Sequence, residues 1–298
     1  QNPDQCIPLH FTMRFPYTYG IAAYGAMNVS VFDVNIFDNS GTPTLGINRT
    51  TGQANVYPIY VQVRVVEFVN KIRVQKVAFN SGASKTLATA TIPTAVDLSR
   101  SFMTAFPWSQ GTDYGGNYGD DRNFQYKFNS TTQFEVRRYA TPDPTFKGWA
   151  YIAEDTSAGG NFFTVKHYNK GATYSTSTTQ TIDSVDTSKA MLIYSNGFGN
   201  TNSGVASLAS AKIESATAIR INCQSATYPH YYSFQVVEWQ NNTSVQHGDH
   251  TWATAGGSAS LVTHTATISA VELSNSIVRF PKIAESLHTC DRTDSNSA

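Results

Sequence analysis

The amino-acid sequence predicts an all-β protein made of tandem β-sandwich or small-barrel modules of about 85 residues, with an incomplete module at each end. Three observations predict it: a composition that favours pleated surfaces, short segments alternating with a period of two, and a pattern that returns at a near-constant interval.

The 298 residues carry 14% charged side chains that balance to a formal charge of zero. Thr, Val, Tyr and Phe are abundant and runs of Leu, Glu and Lys are scarce, which suits half-buried sheets better than helices. Neutrality without a basic patch argues against a nucleic-acid surface. No stretch approaches the roughly 18 consecutive apolar residues of a membrane helix, so no membrane insertion is expected. The length is enough for two or three compact cores.

The repeat begins with Thr89–Ser101 (TATIPTAVDLSRS), Thr179–Ala190 (TQTIDSVDTSKA) and Thr265–Ser276 (TATISAVELSNS), the first carrying one extra residue after Ile92. A second pattern keeps the same period: Tyr60–Asn70, Lys147–Ser157 and the segment from Tyr232 place Glu67, Glu154 and Glu238 at intervals of 87 and 84 residues. A weaker pair links Ser130–Arg138 with Ser215–Cys223. Each segment is predicted as a strand; in Tyr60–Phe68, Val61, Val63 and Val65 alternate with Gln62, Arg64 and Val66. Val205–Glu214 has a faint helical look but aligns with strand-like Phe124–Phe128, and is predicted as strand. Turn-rich stretches, Gly111–Asp121 and Ser195–Gly204, separate the strands.

This arithmetic places whole modules at 70–155 and 156–239. Residues 240–298 resemble the front half of a third module. Residues 1–69 comprise an aromatic segment without a counterpart, followed by the back half of a module from about residue 40. Half a sandwich leaves open edges, so the two terminal halves are expected to pair, within a chain or between neighbouring chains.

Because Glu67, Glu154 and Glu238 recur once per module, they are expected to be fold determinants rather than catalytic acids. Asp97, Asp186 and Glu272, each two residues before Ser99, Ser188 or Ser274, read as turn-forming side chains. His247, Asp249 and His250, with His264, could supply ligands to a divalent metal but read better as exposed polar residues beside a turn, and the acidic turn with Asp113, Asn117, Asp120 and Asp121 lacks the spacing and closing Glu of a calcium-binding hand. No nucleophile elbow, phosphate loop or zinc-protease helix occurs, so neither an enzyme nor a cofactor is predicted. The best candidate binding or assembly surface is aromatic: Phe106, Trp108, Tyr114 and Tyr118 in one loop, and Tyr228, Tyr231 and Tyr232, with His230, in another.

Three cysteines are too few for a disulfide framework. Cys6 and Cys290, both in terminal segments expected to meet, are the candidate disulfide; Cys223 is expected to be a buried thiol. The chain starts at Gln1, which mildly favours export, whereas the N-x-Ser/Thr sequons at Asn28, Asn48, Asn129, Asn241 and Asn242 are no more than an Asn- and Thr-rich chain produces by chance.

Thr265–Ser276 combined with the Phe234–Trp239 strand (FQVVEW) resembles repeats of tailed-phage virion proteins, particularly decoration and fibre-like surface components. The resemblance implies a virion or extracellular location. The expected function is a non-enzymatic structural subunit that self-associates with identical copies through its terminal segments, with other virion or surface proteins or cell-surface glycans as further partners. The alternatives are an adhesin or glycan-binding module, and a secreted polysaccharide-active enzyme, which would need carboxylates converging in one cleft.

Overall fold

A computed structural model describes residues 3–14, 31–39, 42–50, 60–68, 71–82, 85–109, 124–139, 145–160, 162–198, 209–223, 226–240, 242–247, 267 and 269–271. Among them lie sixteen strands and no α-helix, in agreement with the all-β prediction. The strands are β1 (Cys6–Arg14), β2 (Val31–Asn39), β3 (Thr42–Thr50), β4 (Tyr60–Glu67), β5 (Ile72–Asn80), β6 (Leu87–Thr91), β7 (Ser101–Ser109), β8 (Phe124–Ser130), β9 (Gln133–Arg138), β10 (Phe146–Asp155), β11 (Phe163–Thr173), β12 (Ser177–Thr181), β13 (Ala190–Phe198), β14 (Ala209–Ser215), β15 (Ala218–Cys223) and β16 (His230–Trp239). Within Val205–Glu214, the described residues 209–214 lie in β14, as the alignment predicts, and 205–208 lie outside the described residues.

The repeat becomes a repeated topology. Strands β5–β10 form two antiparallel sheets ordered β5-β10-β7 and β6-β9-β8, and β11–β16 form β11-β16-β13 and β12-β15-β14. In both sets the first, sixth and third strands share one sheet with the sixth central, and the second, fifth and fourth share the other with the fifth central. The two sheets of each set close on an apolar core. Phe134, Val136, Phe146, Ala150 and Ile152 are fully buried in the first, and Ile219, Ile221, Tyr232 and Val236 in the second. Burial follows the period of two along the strands, as in β15, where Ile219 and Ile221 point inward between the more exposed Arg220 and Asn222.

The TxTIxxVD segment links the second strand to the third. Ile92 and Val96 N–H groups donate to the carbonyls of Thr132 and Thr131, and Ile182 and Val185 donate to Thr217 and Ala216. Each time the link is laid over the turn between fourth and fifth strands, and its Ile and Val sink into the core. The extra residue after Ile92 is accommodated without breaking this pattern.

The N-terminal strands form two smaller sheets, β1 with β4 and the hairpin β2-β3. Here the structure refines the sequence reading, because β1 and β2, the described strands before residue 40, do have counterparts. Cys6 pairs with Glu67 as Ala190 pairs with Glu238 and Ser101 with Glu154. Phe68 N–H donates to the Gln5 carbonyl (2.8 Å) as Trp239 N–H donates to that of Lys189 (3.0 Å). A 3-10 turn, Pro3–Gln5, precedes β1 as Leu98–Arg100 precedes β7. β1 therefore stands as a third strand, and β2, β3 and β4 as fourth, fifth and sixth. The likeness was invisible in sequence because Cys6 to Leu9 are all buried, so β1 lacks the alternation that marks a half-exposed strand.

The outer faces of these sheets meet in a further apolar cluster, through which runs a chain of rings: Phe68 against Phe102 (6.1 Å between centroids), Phe102 against Phe163 (5.3 Å) and Phe163 against Trp239 (5.3 Å).

Candidate assembly interface

The repeated polar residues act as joints inside each module. Glu154 Oε1 accepts the Asp97 N–H at 2.9 Å, and Glu238 Oε1 accepts the Asp186 N–H at 2.9 Å. Asp97 in turn accepts the N–H and O–H of Ser99 at 2.9 and 2.6 Å, and Asp186 those of Ser188 at the same distances. The Ser99 hydroxyl holds the Asp97 carboxyl below the usual carboxylate range, and Ser188 does the same for Asp186. These are the turn-forming and fold-determining roles expected of them. The modules differ in one respect: Glu154 is buried and also pairs with the Arg73 guanidinium.

A second set of contacts joins one module to the next, and it repeats too. The fourth strand presents one backbone unit to the module that follows. Ile36 N–H donates to the Tyr151 hydroxyl (2.9 Å) and its carbonyl accepts from Lys76 Nζ (2.6 Å). At the next junction Tyr126 N–H donates to Ser195 Oγ (2.9 Å), which donates back to the Tyr126 carbonyl (3.2 Å). The buried Gln235 amide clasps the Met103 backbone, accepting its N–H at 2.7 Å and donating to its carbonyl at 2.8 Å. His167 Nε2–H donates to the Leu98 carbonyl (2.8 Å), and burial pushes this imidazole below its ordinary pKa. Tyr139 stacks on Tyr231 (3.5 Å between centroids, 3° between planes). It lies so close over Gly197 that a Cβ there would run into its ring, and burial lifts its phenol to about 12.

What remains unfilled is the N-terminal unit. Among the described residues its central strands, β4 and β3, each pair on one side, with β1 and β2. In the two six-stranded sets the corresponding strands pair on both sides. The inner face shows the consequence. Val65 corresponds to Ile152 and Val236, both fully buried, yet is 40% exposed. On β3, Leu45 and Ile47 are also exposed, whereas Val136 and Ile221, which correspond to Leu45, are fully buried.

The aromatic residues singled out in the sequence do not form one surface. Phe106 and Trp108 belong to β7, and Tyr231 and Tyr232 to β16, so these are strand rather than loop residues. Phe106 packs edge-on to Tyr151 in the cluster between modules (6.1 Å), and Tyr232 is fully buried in the core. Tyr232 is thereby closed to an external ligand, and Phe106 is partly buried. Tyr228 is half-buried against Phe198 (5.7 Å), and Tyr231 is occupied by Tyr139. The Trp108 side chain, Tyr114 and Tyr118 lie outside the described residues, as do Asp113, Asn117, Asp120, Asp121, Asp249, His250 and His264.

Cys6 and Cys223 are buried, and Cys223 Sγ–H donates to the Ser175 carbonyl (2.7 Å). Burial pushes both thiols up, as expected of an inert Cys223. Cys290 lies outside the described residues, and with it the Cys6–Cys290 pairing. Among the described residues no cluster of His, Cys, Asp or Glu is arranged to hold a metal ion.

Sequence reasoning missed the junction residues Gln235, Ser195, Tyr126 and Tyr139. A self-comparison finds only what recurs, and each junction solves the same geometric problem with different side chains. Compared with known proteins, the chain matches no family, no curated protein and no solved structure.

Proposed function

We propose that the chain is a non-enzymatic structural subunit that joins neighbouring copies through its terminal segments. The observation that carries this reading is the exposure of Val65, Leu45 and Ile47 where their counterparts are core, on strands β4 and β3 that among the described residues pair on one side each. An open edge over an apolar face is a template for a further strand, because unpaired backbone groups and uncovered side chains are satisfied together. The repeated Glu and Asp residues support the same reading, since their carboxylates are engaged in joints inside each module. The resemblance of Thr265–Ser276 and Phe234–Trp239 to tailed-phage virion repeats favours a virion or extracellular assembly as the setting. Electron microscopy and light scattering of the purified protein over a hundredfold concentration range test this function. Particles or filaments that grow with concentration are expected, and a strict monomer throughout would overturn it.

A further inference from the structure

The proposed assembly leaves open which strands cover β4 and β3, and the repeat answers this. In both six-stranded sets the missing neighbours are the first strand, beside the sixth, and the second strand, beside the fifth. The segment after β16 carries both in its sequence. Three contacts show that its described residues already follow the module pattern.

First, Gln246 clasps the Ser269 backbone, donating to its carbonyl (3.3 Å) and accepting its N–H (2.8 Å). Gln75 clasps Thr94 in the same way, at 2.8 Å for both bonds. This is how a first strand grips the link that follows the second strand. Secondly, His247 Nε2–H donates to the Thr187 carbonyl (3.0 Å), as His167 donates to that of Leu98, the corresponding residue one module earlier. Thirdly, the Val245 N–H donates to the Ser188 carbonyl (2.7 Å), so the segment is anchored on the preceding module's turn. Val271, which corresponds to the core residues Val96 and Val185, is 37% exposed. It lacks the core it would enter, as Val65 lacks its cover.

The geometry points to residues 243–247 of a neighbouring copy as a strand that pairs antiparallel with β4 and so covers the N-terminal unit. This rests on the proposed self-assembly and gives it a register. Transferring the pairing of Arg73 with Glu154 and Thr164 with Glu238 sets Ser244 opposite Glu67 and Val245 opposite Val66. The donor is a second copy because the N-terminal unit is already seated on the other side of its own chain. There Pro3–Gln5 packs against β5, and β2 against β7 and β10. Among the described residues neither β1 nor β4 packs on β13 or β14 as β7 and β10 pack on β2. The joining face of the last complete module is thus left for the next chain. An interface of this kind is heterologous, so it propagates head to tail.

The test is a mixing experiment with two single variants, Val66→Cys and Val245→Cys, each of full length. They are combined under mild oxidation, and the linked peptides are mapped so that Cys6, Cys223 and Cys290 are told apart. The expected result is a 66–245 disulfide between chains in most of the mixture, together with a ladder of oligomers when one chain carries both substitutions. A 66–245 bond formed only within a doubly substituted chain would overturn the proposal in favour of self-closure. Absence of the bond in either format, with unchanged thermal melting, would overturn it as well. Light scattering on the unmodified protein separates the two readings: oligomers without the 66–245 bond retain self-assembly and reject this joint, whereas monomers reject both.

Discussion

The six-stranded set β5–β10 and the N-terminal unit β1–β4 use corresponding strands to opposite effect. Ile152, at the centre of β10, is fully buried, whereas Val65, its counterpart on β4, is 40% exposed. Both sit on an apolar strand between polar ends, so strand propensity does not separate them. The difference lies in their neighbours: β10 is flanked by β5 and β7, and β4, among the described residues, by β1 alone. A sandwich core is a property of paired sheets, and a strand that is one neighbour short exposes the same side chains that stabilise its complete relative.

The most drastic way to break this comparison is to hollow out one member and not the other. Ile152→Ala should cost about 2–5 kcal/mol, read from urea midpoints, because it leaves a cavity in a closed core. Val65→Ala should cost under about 0.5 kcal/mol in dilute monomer. In the assembled state the same change should cost about 2 kcal/mol, because there the strand is covered. Equal losses at Ile152 and Val65 in dilute monomer would contradict the account.

The joint between modules comes next. Gln235→Leu strands the buried N–H and C=O of Met103, so it should cost about 2–4 kcal/mol at roughly constant volume. Differential scanning calorimetry should then show a broadened or split transition, because the modules lose part of their coupling. Removal of the Glu carboxylate sharpens the contrast between the complete modules. Glu154→Ala leaves the Asp97 N–H without its acceptor and the Arg73 guanidinium without its carboxylate partner, with the Ala95 carbonyl still accepting from it, and should cost about 2–3 kcal/mol. Glu238→Ala removes only the acceptor of the Asp186 N–H, in a more exposed setting, and should cost about 1 kcal/mol.

The smallest effect is a pH dependence. Because burial lowers the folded-state pKa of His167, the folded protein takes up this proton less readily than the unfolded chain. Its contribution is fully present above the unfolded value of about 6.5 and is lost as pH falls from there toward the folded-state value. Urea midpoints should therefore drop between pH 7 and 5, and His167→Phe should flatten that slope. The lowered carboxyls of Asp97 and Asp186 act only in a more acidic window, below about pH 4, and leave this test clean.

How much of this was legible in the sequence follows from what recurs. The TxTIxxVD link, the Val-Val-Glu strand and the Asp–x–Ser turn each do one job in every module, so the same residue types return and the period shows through. Strands β1 and β2 were missed because their surroundings differ from those of β7 and β8: Cys6 to Leu9 at the start of β1 are buried on both faces, and the Ile36 backbone is held by Tyr151 and Lys76 rather than by a serine. The aromatic residues misled for a related reason. Phe106 and Tyr232 are large and sit near turn-rich stretches, yet a ring fills an interior gap as readily as it meets a ligand, and only packing distinguishes the two. The exposed Val65, Leu45 and Ile47 have no sequence signature at all, since nothing local to β3 or β4 records the strands they lack.

The most direct measurement of the central claim is amide hydrogen exchange along β4 as a function of protein concentration. If β4 is covered by residues 243–247 of a neighbouring copy, the amides on its open side should be weakly protected in dilute protein and become strongly protected as the protein assembles, in step with those of the donor segment. Those on the side paired with β1 should hardly change. Protection that is strong and independent of concentration, or absent even in concentrated protein, would contradict it.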